Sequence, residues 1–192
     1  MKYMNLVKLY QAKQTVFTRS SLAQIYPELG DKQMTNALYY AVKNEQLRRV
    51  RRGFFVKPEY DARELACKLY PPAYVSLDTI LFEVGVTFQL TTEIICISTV
   101  SKEIKIDNQI FKYRKMKDEI LTNQMGIVND GVKSIASLER AVLDTWFMDG
   151  ERHLDNLRPV SWDKIYELLP IYHNKALNNR VKKMEGYAKD DK

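Results

Sequence analysis

The sequence predicts an α+β protein, an N-terminal winged helix-turn-helix followed by a mixed α/β C-terminal domain. Three observations carry this. Arg48, Arg49, Arg51 and Arg52 run straight into Gly53-Phe54-Phe55-Val56, the pattern of a basic β-hairpin that reverses at Gly53. Two short amphipathic segments precede the hairpin in the order and spacing of a helix-turn-helix. From about Ile94 to Ile135 the helical period gives way to short β-rich stretches, and it then returns.

Taken in order, Tyr3, Leu6, Val7 and Tyr10 fall at i, i+3, i+4 and i+7 and predict a first amphipathic helix. Thr18 caps a second, Arg19 to about Tyr26, with Leu22 and Ile25 inward; Pro27 stops it and Leu29-Gly30 makes the turn. Asp31 then caps a third helix, in which Met34, Ala37, Leu38, Ala41 and Val42 form an apolar stripe that must face the first two. The hairpin follows, its alternation imperfect, and Lys57-Pro58 ends it because proline lacks the ladder donor.

Beyond it, Asp61 caps a linking helix lined by Leu65, Ala66 and Leu69, which Pro71-Pro72 ends. Ser76 is expected to cap a helix whose Leu77, Ile80, Leu81 and Val84 share a face, with Gly85 as its stop. Strands are expected over Ile94 to Thr99, over Gln109 to Tyr113 and near Ile127 and Ile135, with turns at Asp107-Asn108 and Asn129-Asp130-Gly131. Ser137 caps a helix with Leu138, Val142, Leu143, Trp146 and Phe147 inward, and places Arg140 and Asp144 for an i, i+4 ion pair. A short helix from about Trp162 to Leu169 ends at Pro170. Residues 174 to 192 carry few apolar side chains and predict a peripheral helix and a frayed tail. The expected division is thus residues 1–60, 61–173 and 174–192.

Charge follows the same division. Residues 1–60 hold eleven Lys or Arg against four acids, a net +7, while the remainder holds nineteen against twenty, a net −1. Such an asymmetry points to a polyanion-binding module joined to a nearly neutral partner domain, and a solvated basic face is the plainer alternative. No stretch approaches a membrane span and Met1-Lys2-Tyr3-Met4-Asn5 lacks a signal peptide's apolar run, so a cytoplasmic protein is expected. Cys67 and Cys96 lack metal-ligand spacing and are expected to be buried, reduced thiols, with no metal and no cofactor implied.

The outward face of the third helix carries Lys32, Gln33, Thr35, Asn36, Tyr39, Tyr40 and Lys43. Asn and Gln can bond adenine in bidentate fashion, Thr can touch a thymine methyl, and Tyr and Lys can reach phosphate oxygens. For Tyr39 or Tyr40 singly, partial core packing is an equal alternative. The expected DNA-binding set is Arg19, Lys32, Gln33, Thr35, Asn36, Tyr39 and Lys43 with the wing residues Arg48, Arg49, Arg51 and Arg52, and the expected partner is double-stranded DNA.

A basic winged helix with Gly-aromatic-aromatic in its last strand is followed by Tyr74-Val75-Ser76-Leu77, Ser98-Thr99, Phe111-Lys112-Tyr113 and Ile135-Ala136-Ser137-Leu138-Glu139-Arg140-Ala141-Val142-Leu143-Asp144. Over roughly residues 5–170 this resembles the AbiEi-type antitoxins of bacterial abortive-infection (type IV toxin-antitoxin) systems, most strongly in the Ala-Ser-Leu-Glu-Arg-Ala-Val-Leu-Asp segment. It departs at Asn44-Glu45, where members often carry a glycine. The resemblance implies a DNA-binding autorepressor on inverted repeats, and because one winged helix reads only a few base pairs, cooperative self-association on DNA is expected. It also implies a C-terminal domain that counters a nucleotidyltransferase-like toxin without a stable complex. Glu139, Arg140 and Asp144 then read as functional charges or, the favoured reading, as a helix cap, a surface ion pair and a residue near the toxin-countering face.

Two rival classes remain. Glu103-Ile104-Lys105, with acids at Asp78, Asp107 and Asp118, loosely matches the Glu-x-Lys of metal-dependent nucleases, but a three-residue match is common by chance. No phosphate loop, nucleophile elbow or HExxH is present and His153 and His173 lack partner patterns, so a non-enzyme is expected. The other rival is a winged-helix regulator whose C-terminal domain senses a small ligand.

Overall fold

The computed structural model describes residues 4–190, apart from the side chain of Asp190, and within them the protein is a mixed α+β chain with two sheets. It divides into two compact units, Met1–Leu65 and Ala66–Lys192.

The first unit holds α1 (Leu6–Gln11), β1 (Val16–Thr18), α2 (Arg19–Ile25), α3 (Asp31–Lys43), β2 (Arg48–Arg51) and β3 (Phe54–Val56). Its antiparallel sheet runs β1-β3-β2. Leu9, Phe17, Leu22, Tyr26, Met34, Leu38, Ala41 and Leu47 form one core beneath the three helices. The stripe expected for α3 is the buried one, with Met34, Leu38 and Ala41 at most 4% exposed. For α2, Thr18 caps as expected, its hydroxyl accepting from Ser21 N–H at 3.1 Å.

Two local expectations need correction, and a third is explained. In α1 the buried side chain is Leu9, while Val7 and Tyr10 are exposed, because a six-residue helix turns only part of its predicted face inward. Tyr10 instead donates its hydroxyl to Gln46 O at 3.0 Å, and Tyr3 lies outside the described residues. The N-cap of α3 is Gly30, and Asp31 is its first helical residue; Gln33 Oε1 accepts from Gly30 N–H at 3.1 Å, tying down the helix start. The hairpin alternation is imperfect because its register shifts between Arg49 and Arg51, a bulge at Val50. Gly53, at φ +83°, makes the reversal.

The end of α3 accounts for the Asn44-Glu45 departure. Gln46 N–H donates to Ala41 O at 2.9 Å and Glu45 N–H to Val42 O at 3.1 Å, a Schellman stop that puts Glu45 at φ +58°. Glycine would sit there without strain. A further tie comes from α4 (Ala62–Leu69), whose buried Glu64 accepts from Thr15 N–H at 2.7 Å and Val16 N–H at 3.0 Å, fixing the entry to β1. Asp61 caps α4 through Arg63 N–H at 2.8 Å.

The second unit is built on a six-stranded mixed sheet, ordered β6-β7-β5-β4-β9-β8. Its strands are β4 (Ala73–Val75), β5 (Ile94–Ser98), β6 (Lys102–Ile106), β7 (Gln109–Lys115), β8 (Ile127–Asn129) and β9 (Ser134–Ala136). β5 is buried along its whole length, as the Ile-Ile-Cys-Ile-Ser run requires of a central strand paired with β4 and β7. Around the sheet lie α5 (Asp78–Glu83), α6 (Asp118–Leu121), α7 (Leu138–Asp149), α8 (Trp162–Leu168), a 3₁₀ turn at Leu169–Tyr172 and α9 (Lys175–Asp190). The helix expected to be peripheral, α9, buries Leu177, Val181 and Met184.

A cap and an ion pair differ from expectation. Ser76 does not cap α5; Leu77 does, at φ +57°, and Val84 faces solvent rather than the core. The Arg140–Asp144 ion pair exists at 3.5 Å but is fully buried, not on the surface. Asp144 accepts from Tyr172 Oη at 2.7 Å, Ser76 Oγ at 2.8 Å and Tyr74 Oη at 3.1 Å. Arg140 donates to Ile120 O at 2.6 Å and Met125 O at 2.9 Å, and lies 5.5 Å from the ring centroids of Tyr74 and Tyr172. Glu139, also buried, accepts from the N–H of Ser161, the residue that precedes α8.

Candidate nucleic-acid interface

Because the core consumes one side of α3, its other side is left to water. Lys32, Gln33, Thr35, Asn36, Tyr39, Tyr40 and Lys43 are all exposed. Tyr39 and Tyr40 reach 62% and 58% exposure and pack only edge to face on one another, at 5.4 Å between centroids, which removes core packing as their role. Two large amphipathic rings held open on a helix, beside Asn36 and between Lys32 and Lys43, form a surface able to bond phosphates and base edges.

Not every predicted residue of this face is equally available. Arg19 Nη2 donates to Thr35 Oγ1 at 3.0 Å, Asp31 O at 3.1 Å and Asp31 Oδ1 at 3.2 Å. Thr35 Oγ1 in turn donates to Asp31 O at 2.8 Å, and Gln33 is held at Gly30. Arg19, Thr35 and Gln33 therefore brace the start of α3, while Lys32, Asn36, Tyr39 and Lys43 present the unbraced part of the face. No spacing rule reveals that bracing, because Arg19 lies on a different helix.

On the hairpin, Arg48, Arg49, Arg51 and Arg52 are exposed. Arg48 lies over the Tyr60 ring at 5.5 Å, which orients that guanidinium. Lys57 belongs to the scaffold instead: its ammonium donates to Ala12 O at 2.8 Å and Tyr10 O at 3.2 Å, and desolvation lowers its pKa against the pull of Glu64.

The charges singled out in the second unit do not form an open site. Burial raises the Asp144 pKa, opposed by Arg140 and by the hydroxyls of Tyr172, Ser76 and Tyr74. Burial likewise raises the phenols of Tyr74 and Tyr172. The network has no route to solvent at Asp144 or Arg140, both fully buried, so its chemistry is that of a polar clamp in the core. Of the nuclease-like residues, Glu103 faces Lys112 across β6 and β7, Asp107 sits in the β6–β7 turn, and Asp78 is engaged by both Arg152 Nη atoms at 2.5 and 3.0 Å. Among the described residues no three His, Cys, Asp or Glu side chains gather where they could hold a metal ion. Cys67 and Cys96 are buried thiols outside any disulfide, and no helix among the described residues is long and apolar enough to cross a membrane.

No protein-family model matches this chain, and no curated protein matches it significantly.

Proposed function

We propose that residues 1–60 act as a winged helix-turn-helix that binds double-stranded DNA, and that the protein is a transcriptional autorepressor and antitoxin of an AbiE-like operon. One observation carries the DNA reading: the solvent faces of α3 and of the β2–β3 hairpin are both polar and basic, and both belong to one compact unit. In this reading α3 enters the major groove with Asn36 and Tyr39 toward base edges. Lys32 and Lys43 bind flanking phosphates, and the arginine hairpin is the wing along the backbone or in the minor groove. The antitoxin reading rests on the resemblance in Tyr74 to Leu77 and Ile135 to Asp144 alone. No catalytic step is assigned, and the protein works in the cytoplasm.

The test is binding of the full-length protein to its own upstream region over a range of salt. Replacing Arg48, Arg49, Arg51 and Arg52 together with Ala is expected to weaken binding to all sequences and to flatten log K against log salt by up to about 0.9 per lost phosphate contact. An unchanged slope removes the hairpin from the contact surface. Asn36→Ala is expected to cost about 1–3 kcal/mol on the preferred site and little on random DNA.

A further inference from the structure

The second unit contains a cavity of about 840 Å³ that the DNA reading does not use. Its wall is made by the loop after α5, the segment from His153 to Val160, the start of α8 and the last turns of α9. The mouth is tied rather than loose. Phe88 N–H donates to Asp155 Oδ2 at 2.7 Å, Asn156 N–H to Val86 O at 3.1 Å and Asn156 Nδ2 to Gly85 O at 3.1 Å. These bonds hold the loop against the 153–158 segment without filling the space between them.

The lining has a definite chemistry. Trp162 is half-buried and stacks on the fully buried Trp146 at 6.4 Å, which fixes its indole as one wall. Phe88 and Tyr187 line the same cavity and are 70% and 54% exposed, which leaves much of each ring accessible from it. The ionisable lining residues are His153, Asp155, Arg158 and Lys189. Asp155 Oδ2 accepts from Phe88 N–H, and Lys189 is paired with Glu185 at 2.8 Å. Among the described residues the Arg158 guanidinium has no ion-pair partner, while its backbone N–H is anchored on Asn156 Oδ1 at 3.1 Å. Aromatic walls with an uncommitted guanidinium select a flat ring that carries negative charge.

We propose that this cavity binds a small planar aromatic anion, its ring against Trp162, Phe88 and Tyr187 and its carboxylate or phosphate on Arg158 with His153 beside it. The site lies wholly within residues 88–189 and does not depend on the DNA reading. An aromatic carboxylate and a nucleoside monophosphate share this chemistry, and separate probes distinguish them.

Calorimetric titration of the full-length protein with 2-naphthoate, with adenosine monophosphate and with the neutral 2-naphthalenemethanol tests the site. At least one anion is expected to bind with unit stoichiometry and at least tenfold more tightly than the neutral probe. Preference for naphthoate assigns an aromatic carboxylate, and preference for the monophosphate assigns a nucleotide. Arg158→Ala, at an exposed position whose side chain supports nothing in the fold, should erase the advantage of the anion, and Arg158→Lys should keep part of it. Trp162→Ala should weaken all probes. The proposal is overturned if neither anion saturates at millimolar concentration, if the neutral probe binds equally well, or if Arg158→Ala leaves anion binding unchanged. Equal binding of the neutral probe would make the cavity an apolar docking face for a protein segment.

Discussion

Glu45 shows how one residue can satisfy a motif at a cost. The Schellman stop needs a left-handed residue after α3, and a side chain with a β-carbon is strained at φ +58°. Glu45→Gly is therefore expected to stabilise the first unit by about 1 kcal/mol, read from urea denaturation; a destabilised variant would mean that the glutamate side chain makes up for the strain. Asp144 is the opposite case, a residue held by many partners. Asp144→Ala strands Arg140 and three hydroxyls in the core and is expected to cost about 3–5 kcal/mol. Asp144→Asn keeps the shape and tests the protonation. Because burial raises the Asp144 pKa above its unfolded value, the stability tied to its proton is full below the unfolded pKa and is lost as pH rises through the folded one. The wild type should therefore lose ground relative to Asp144→Asn as pH rises above the unfolded carboxylate pKa of about 4. A gap that widens in favour of the wild type would show that Arg140 outweighs burial.

At the scale of elements, the long periodic segments were legible and the short ones were not. The buried stripe of α3 and the caps at Thr18, Asp61 and Ser137 follow from spacing and side-chain chemistry. β1 and β4, three residues each, carry no period of their own and are strands because β3 and β5 pair with them. The face of α1 is poorly legible for the same reason, since six residues define a stripe poorly. On the candidate interface, spacing found the exposed side of α3 but not the Arg19–Thr35 brace, which depends on where a second helix lies. Nor did the sequence show that the charged pair in Ile135 to Asp144 would be covered, because Tyr74, Ser76 and Tyr172 come from distant positions to enclose it. Long-range polar ties of this kind are testable at Glu64. Glu64→Ala removes the acceptor for Thr15 and Val16 N–H and is expected to cost about 1.5–3 kcal/mol, with faster hydrogen exchange at Val16. Unchanged exchange there would mean that β1 is held by its pairing with β3 alone.

For the whole molecule, the division of charge argues for a division of labour. On the proposed DNA-binding reading, a single winged helix covers only a few base pairs, so an operator of useful specificity takes two copies on an inverted repeat, with half-sites about 10 bp apart or a multiple of that. Binding of the full-length protein to such a repeat is expected to be cooperative, and a single half-site should lose both the cooperativity and much of the affinity. The net −1 of residues 61–192 gives that part of the chain little attraction for DNA and leaves it to protein contacts and, in the antitoxin reading, to neutralisation. These roles separate in one experiment on the intact chain. With the gene under an unrelated promoter, so that autorepression no longer sets its level, the variant with Arg48, Arg49, Arg51 and Arg52 all replaced by Ala should fail to bind the operator yet still rescue cells expressing the partner toxin. If rescue is lost together with DNA binding while the protein accumulates to the wild-type level, neutralisation runs through the first unit, and the assignment of that role to residues 61–192 fails.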